Sequence, residues 1–233
     1  MKPTYSDRQQ TIVNWFDATY RTKGDRYLRP VRAYYIFLEL LQSKPGQHLL
    51  DVACGLGRLL EAGREYDLRL SGIDISEVAV QRARENVPEA RIEVGSAERL
   101  PYADASFDLI SCIGSLERML DTAKALAEMR RVGKPDARFC LLVRNSTTSN
   151  WKFRRAIWRR RNTGNANAAS LEEWSTCFES NGFVVKSVYP DQYPLHKKAR
   201  WSSLGTRNVD FRRPVSGPLE RANEFLFILG KKP

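Results

Sequence analysis

At 233 residues, 42% of them hydrophobic, the chain is long enough for one large α/β domain with a real core, which excludes global disorder. The opening MKPTYSDRQQ holds no apolar run of signal-peptide length, and no stretch approaches the roughly 20 apolar residues that cross a bilayer, so a cytoplasmic protein is expected. The net charge of +11 is uneven: residues 1–144 carry 22 Lys+Arg against 20 Asp+Glu, whereas residues 145–233 carry 16 against 7. A near-neutral core with a basic last third suits an anionic substrate, an anionic membrane surface touched peripherally, or nucleic acid.

Residues 7–21 place Ile12, Trp15, Phe16 and Tyr20 at helical spacing, and residues 31–42 do the same with Val31, Tyr34, Phe37, Leu38 and Leu41. Pro30 suits the first turn of that second helix, and Ser43-Lys44-Pro45-Gly46 breaks it. Short apolar runs then alternate with helical patterns. Strands are predicted at His48–Ala53, Leu70–Ile75, Arg91–Val94, Phe107–Ile113 and Phe139–Val143. Helices are predicted at Leu59–Tyr66, Glu77–Asn86 with Ser76 as N-cap, and Thr122–Val132. A helix at Leu171–Asn181 and strands at Phe183–Tyr189 and Glu224–Leu229 close the chain. This alternation predicts a mostly parallel sheet with helices on both faces. The domain expectation is one unit over 1–233, with a helical cover at 1–44 and two basic insertions, 145–169 and 190–223, as substrate covers.

Cys54, Cys112, Cys140 and Cys177 form no CxxC pair, and the histidines are His48 and His196 alone. Reduced thiols and no metal site are therefore expected.

The chemistry-bearing stretch is Asp51-Val52-Ala53-Cys54-Gly55-Leu56-Gly57-Arg58, a turn between a strand and a helix. Gly55 and Gly57 allow a sharp turn and close approach of a ligand. Asp74 ends the next strand, where an acid can accept both hydroxyls of a ribose. Dinucleotide sites carry a third glycine, and position 60 here is Leu. Asp51 ahead of the turn favours a cationic group over a pyrophosphate.

From these residues onward the sequence resembles the class I S-adenosylmethionine-dependent methyltransferases, over about His48–Val143. Leu49–Gly57 is similar to the glycine-rich first motif, Ser71–Ser76 to the acidic second, and Gly95–Tyr102 to the third. Ser106–Ile110 resembles the fourth strand and Met129–Pro135 the approach to the fifth. The resemblance implies a Rossmann-like fold with seven strands. It also implies S-adenosyl-L-methionine as methyl donor and S-adenosyl-L-homocysteine as product. It places the Ala53-Cys54-Gly55 backbone at the methionine part, Asp74 on the ribose and Ile75 on the adenine. Ser96, Ala97 and Glu98 border the adenine edge, and Ile113 and Gly114 lie near the sulfonium. Tyr20 or Tyr27 either closes over the cofactor or packs in the core.

Three positions depart from the family pattern: Ser96 where many relatives have Asp, Arg118 where a Gly-Ser-Leu-Glu-His segment has His, and Asp136-Ala137 where Gly-Gly is usual. The third is expected only to change a turn. His48, opening a strand, reads as structural; His196 is a candidate to reach the active site and Arg118 a candidate anion-binding group. Trp151–Arg161 interleaves aromatic and basic side chains, as does the second insertion with Trp201 and Arg212-Arg213. Methyl transfer to an O or N atom of a small or lipid-linked anionic acceptor is the leading expectation. An RNA- or ribosome-directed enzyme and a non-catalytic binding protein on the same fold are the alternatives.

Overall fold

A computed structural model of the chain describes residues 6–148, 168–191, 212–214 and 217–232. Seven strands form a single sheet: β1 His48–Val52, β2 Arg69–Asp74, β3 Arg91–Val94, β4 Phe107–Ile113, β5 Gly133–Arg144, β6 Phe183–Pro190 and β7 Glu224–Lys231. Their order is β3-β2-β1-β4-β5-β7-β6. Neighbours from β3 to β5 run parallel, and β7 runs antiparallel to both β5 and β6. The strand order reverses between β1 and β4, and the carboxyl ends flanking such a reversal open a crevice.

Period-two alternation sends successive strand residues to opposite faces. Leu50, Ile110, Phe139, Leu141 and Phe227 enter one core with α5 (Thr122–Val132) and α6 (Leu171–Ser180). Leu49, Leu109, Cys140, Leu142 and Leu226 enter the other, beneath α2 (Tyr35–Leu40), α3 (Arg58–Gly63) and α4 (Glu77–Asn86). Burial on both faces explains why these strands read as continuous apolar runs. α1 (Asp7–Lys23) begins with a Ser6–Gln9 capping box and packs at the carboxyl edge, beside α4.

Several boundaries shift by a residue or two, and four differences have a clear cause. The helix expected over 31–42 opens as a 3-10 turn, Val31–Tyr34, with extended Pro30 before it instead of within its first turn. β1 stops at Val52 because Ala53 turns to φ 60°. The helix expected through Tyr66 ends at Gly63 and tightens to a 3-10 turn. β5 begins at Gly133 instead of Phe139: Phe107 pairs with Gly133 and Leu109 already with Arg138, so residues 134–137 bulge out of the ladder. Lys134 on that bulge donates to Asp108 at 2.6 Å, and Pro135 sits where no ladder N–H is needed. The Lys-Pro-Asp-Ala departure thus shapes the entry to a strand.

Candidate functional site

The carboxyl ends of β1 and β2 are tied together by one carboxylate. Asp74 accepts hydrogen bonds from Gly55 N–H at 2.8 Å and Ser76 N–H at 2.9 Å. The first bond fixes the glycine loop, and the second orders the N-terminus of α4, where Ser76 Oγ accepts from Ala79 N–H as expected of an N-cap. Ala53 holds a left-handed backbone without being glycine, a conformation usually kept only where surrounding contacts impose it. Burial raises the Asp74 carboxyl to about 6, against the lowering effect of its two backbone donors. Asp51, also buried, is raised to about 7 although Ser111 Oγ donates to it at 2.7 Å.

A cleft of about 560 Å³, counted out to its open mouth, lies in front of this edge. Six of the residues expected at the cofactor line it, Ala53, Asp74, Ile75, Ser96, Ala97 and Glu98, and so does the anion-binding candidate Arg118. The structure places the others around it. Asp51 and Cys54 are buried behind the loop, and Ile113 and Gly114 lie at the end of β4 without reaching the cleft wall. Gly55 and Gly57 make room for protein: an added Cβ would stand 2.8 Å from the Tyr20 hydroxyl at Gly55 and 3.3 Å from Ala83 Cβ at Gly57. Tyr20, like Phe16, packs with Tyr27 and Leu56 in a small core under α1, so it buttresses the loop from outside the cleft.

The opposite wall comes from α1, through Gln9, Ile12 and Phe16, and from the turn after β4, through Ser115, Arg118, Met119 and Leu120. Sequence reasoning missed Gln9, Ser115, Met119 and Leu120 as site residues, and it read Ile12 and Phe16 only as a helix face. Their shared α1 face carried the available signal: Gln9, Ile12 and Phe16 fall at helical spacing. Glu98 clasps the mouth, accepting from Leu120 N–H at 2.9 Å, Asp121 N–H at 3.0 Å and Gln9 Nε2 at 3.2 Å. Ser96 Oγ accepts from Glu98 N–H at 3.2 Å and so shapes that turn. α1 therefore spans the cleft lengthwise, Gln9 at the Glu98 end and Tyr20 at the glycine loop, roughly 16 Å at 1.5 Å per residue.

A ladder of charges joins the roots of the covering segments at the same sheet edge. Arg29, after α1, grips Asp191 with both terminal nitrogens (2.7 and 2.9 Å) and Glu224 at 2.7 Å. Arg144 at the end of β5 reaches Glu224 at 3.1 Å and Glu117 at 3.5 Å. Backbone bonds also close each insertion at its base: Ser146 N–H to Ala169 O, and Asp191 N–H to Glu224 O, both 3.0 Å. Most of those insertions, including Trp151–Arg161, His196 and Trp201, lie outside the described residues. Arg212 lies against the rings of Tyr35 and Tyr66 and pairs with Glu39 and Glu65, on a different part of the surface from the cleft. His48 Nε2 hydrogen-bonds Ser71 Oγ at 2.9 Å beneath the sheet, a structural contact. Among the described residues no helix is long and apolar enough to cross a membrane.

Comparison with known proteins identifies the family. A family model described as "Methyltransferase domain" matches residues 50–141. The 27-O-demethylrifamycin SV methyltransferase of Amycolatopsis mediterranei is 34% identical over 201 residues, 82% of this chain and 73% of that protein. The uncharacterized methyltransferase YcgJ of Bacillus subtilis is 26% identical over 196 residues, covering 81% of this chain and 77% of that one. Its crystal structure superposes with a TM-score of 0.62 over 86% of this chain and 97% of YcgJ, at 22% identity. Geranyl diphosphate C-methyltransferase of Streptomyces coelicolor A3(2), solved with S-adenosyl-L-homocysteine, has a TM-score of 0.68 at 17% identity over 97% and 98% of the two chains. The chain spans about half the length, or less, of several other curated relatives.

Proposed function

The chain belongs to the class I S-adenosylmethionine-dependent methyltransferases, and from that premise we propose that it methylates an O or N atom of a small or lipid-linked, anionic acceptor. The bound cofactor supplies a methyl group already activated by a sulfonium, so positioning is the protein's main contribution to the reaction.

The observation that carries the site assignment is the Asp74 carboxylate, buried yet lining the cleft. With one lone pair on each oxygen given to Gly55 and Ser76 N–H, each oxygen keeps acceptor capacity for a ribose hydroxyl. Ile75 and Ala97, with Ile12 and Phe16 on the far wall, offer apolar faces for a flat purine. The Ser96–Glu98 turn would border its edge, and the Ala53–Gly55 backbone would meet the amino-acid end. Gly57 and Tyr20 support the loop from behind and Asp51 from beneath, while Ile113 and Gly114 stand back from the cleft wall at the end of β4.

Two features support the acceptor assignment. The relative from Amycolatopsis mediterranei is named for an O-demethyl small molecule. The excess positive charge lies in residues 145–233, whose insertions 145–169 and 190–223 leave and rejoin the fold at the edge that holds the cleft. We assign those insertions, with the 1–44 segment, as covers over the acceptor. Incubation with methyl-labelled cofactor and panels of phenolic, carboxylic and lipid-linked acceptors, read by mass spectrometry, tests this reading. Label appearing only in RNA, with steeply salt-dependent RNA binding, would replace it with the nucleic-acid alternative.

A further inference from the structure

The turn after β4 carries a cation that finds no acidic partner among the described residues. Arg118 lines the cleft, and its Nε is buried with no hydrogen-bond acceptor. The hydrogen bond it does make runs from Nη1 to the neutral hydroxyl of Tyr27, at a long 3.3 Å. Its guanidinium carbon lies 5.5 Å from the Phe16 ring centre and 5.9 Å from that of Trp15. Among the described residues no carboxylate stands within ion-pair distance of it. The adjacent Glu117 is fully buried and its nearest cation is Arg144, at 3.5 Å, while Glu98 is engaged by Gln9 and two backbone donors.

Aromatic faces compensate a desolvated guanidinium only in part. The planar donor fork that remains matches an oxyanion, above all a carboxylate. Its position narrows the ligand further. Arg118 touches Tyr27, Tyr27 meets Tyr20 edge-on at 5.8 Å, and the Tyr20 hydroxyl abuts Gly55. This chain of contacts links the cation to the glycine loop.

We propose that Arg118 is an oxyanion-binding residue inside the cleft, taking a carboxylate that belongs either to the amino-acid end of the cofactor or to the acceptor. The proposal rests on the methyl-transfer reading above and specifies a contact that the reading leaves open.

Calorimetric titration separates the two sources without an activity assay. S-adenosylhomocysteine and 5'-methylthioadenosine, which lacks the amino-acid moiety, are titrated into wild type, Arg118→Gln and Arg118→Lys. Acetate is then titrated into each protein saturated with S-adenosylhomocysteine. If the carboxylate is the cofactor's, Arg118→Gln weakens S-adenosylhomocysteine at least tenfold, leaves methylthioadenosine unchanged, and Arg118→Lys recovers part of the loss. If it is the acceptor's, both nucleosides bind as before and acetate binding to the loaded protein disappears in Arg118→Gln. Equal weakening of both nucleosides, or no change in any titration, overturns the proposal. Failure of the wild type to bind either nucleoside would instead overturn the cofactor-site reading and this inference with it.

Discussion

Replacing Asp74 by Asn separates binding from folding, because two effects on stability oppose each other and the effect on the ligand has no such offset. Asn keeps a single acceptor oxygen, so one of the two N–H groups now held at 2.8 and 2.9 Å faces an amide NH2. A buried donor left unmade costs about 1–3 kcal/mol. Against this, the carboxylate is raised to about 6 from an ordinary 3.8. At about 1.4 kcal/mol per pKa unit, removing that buried charge at neutral pH returns about 3 kcal/mol. The net change in folding should be small. The ribose hydroxyls, however, lose a charged acceptor worth about 1.5–3 kcal/mol, which is a rise in Kd of roughly 10- to 150-fold. Calorimetry with S-adenosylhomocysteine and urea unfolding of the same samples measure both quantities. An unchanged Kd would refute the role given to Asp74, and so would a Kd loss matched by an equal loss of folding stability.

The raised carboxyls also set a pH dependence. Ribose hydroxyls prefer the ionised Asp74, so affinity for S-adenosylhomocysteine should rise as pH passes from 5 through about 6 and level off above 7; in Asp74→Asn the curve should be flat. Because the folded-state values of Asp51 and Asp74 lie above the ordinary carboxylate value, ionisation subtracts stability. The ligand-free protein should thus become less stable between about pH 4 and 7, and Asp51→Asn should flatten that slope in urea unfolding. Gly55→Ala places a methyl 2.8 Å from the Tyr20 hydroxyl at φ 54° and should cost about 1–3 kcal/mol. Part of that cost should vanish in a Tyr20→Phe background, whereas a fully additive double mutant would remove Tyr20 as the cause. Arg29→Ala removes the bidentate cation from buried Asp191 and leaves Glu224 to Arg144, and should cost about 3–5 kcal/mol, read as a lower urea midpoint; a change within error would mean the ladder is not structural.

The elements that were legible in the sequence are those whose determinants are local. α4, α5, β3 and β4 match their expected bounds because an apolar run or a helix face is bracketed by a cap or turn residue, such as Ser76 or Asp121. The early part of β5 was hidden because Lys134, Pro135 and Asp136 interrupt the apolar run while the backbone still begins pairing at Gly133. The site shows the same division. Asp74, Ile75 and the Ser96–Glu98 stretch follow strand ends whose position in a parallel sheet is foreseeable. The far wall was not, because helical periodicity says that Ile12 and Phe16 share a face and leaves open what that face covers. Likewise Gly55 read as room for a ligand, whereas the room is taken by Tyr20, a contact between distant segments that no local pattern encodes.

The cleft between α1 and the β1–β2 edge is the proposed seat of S-adenosylmethionine. A crystal structure with S-adenosylhomocysteine bound tests that most directly. It should show both ribose hydroxyls within hydrogen-bond distance of Asp74 and the adenine between Ile75, Ala97 and the Ile12–Phe16 face. A ligand seated elsewhere, or a ribose with no contact to Asp74, would contradict it.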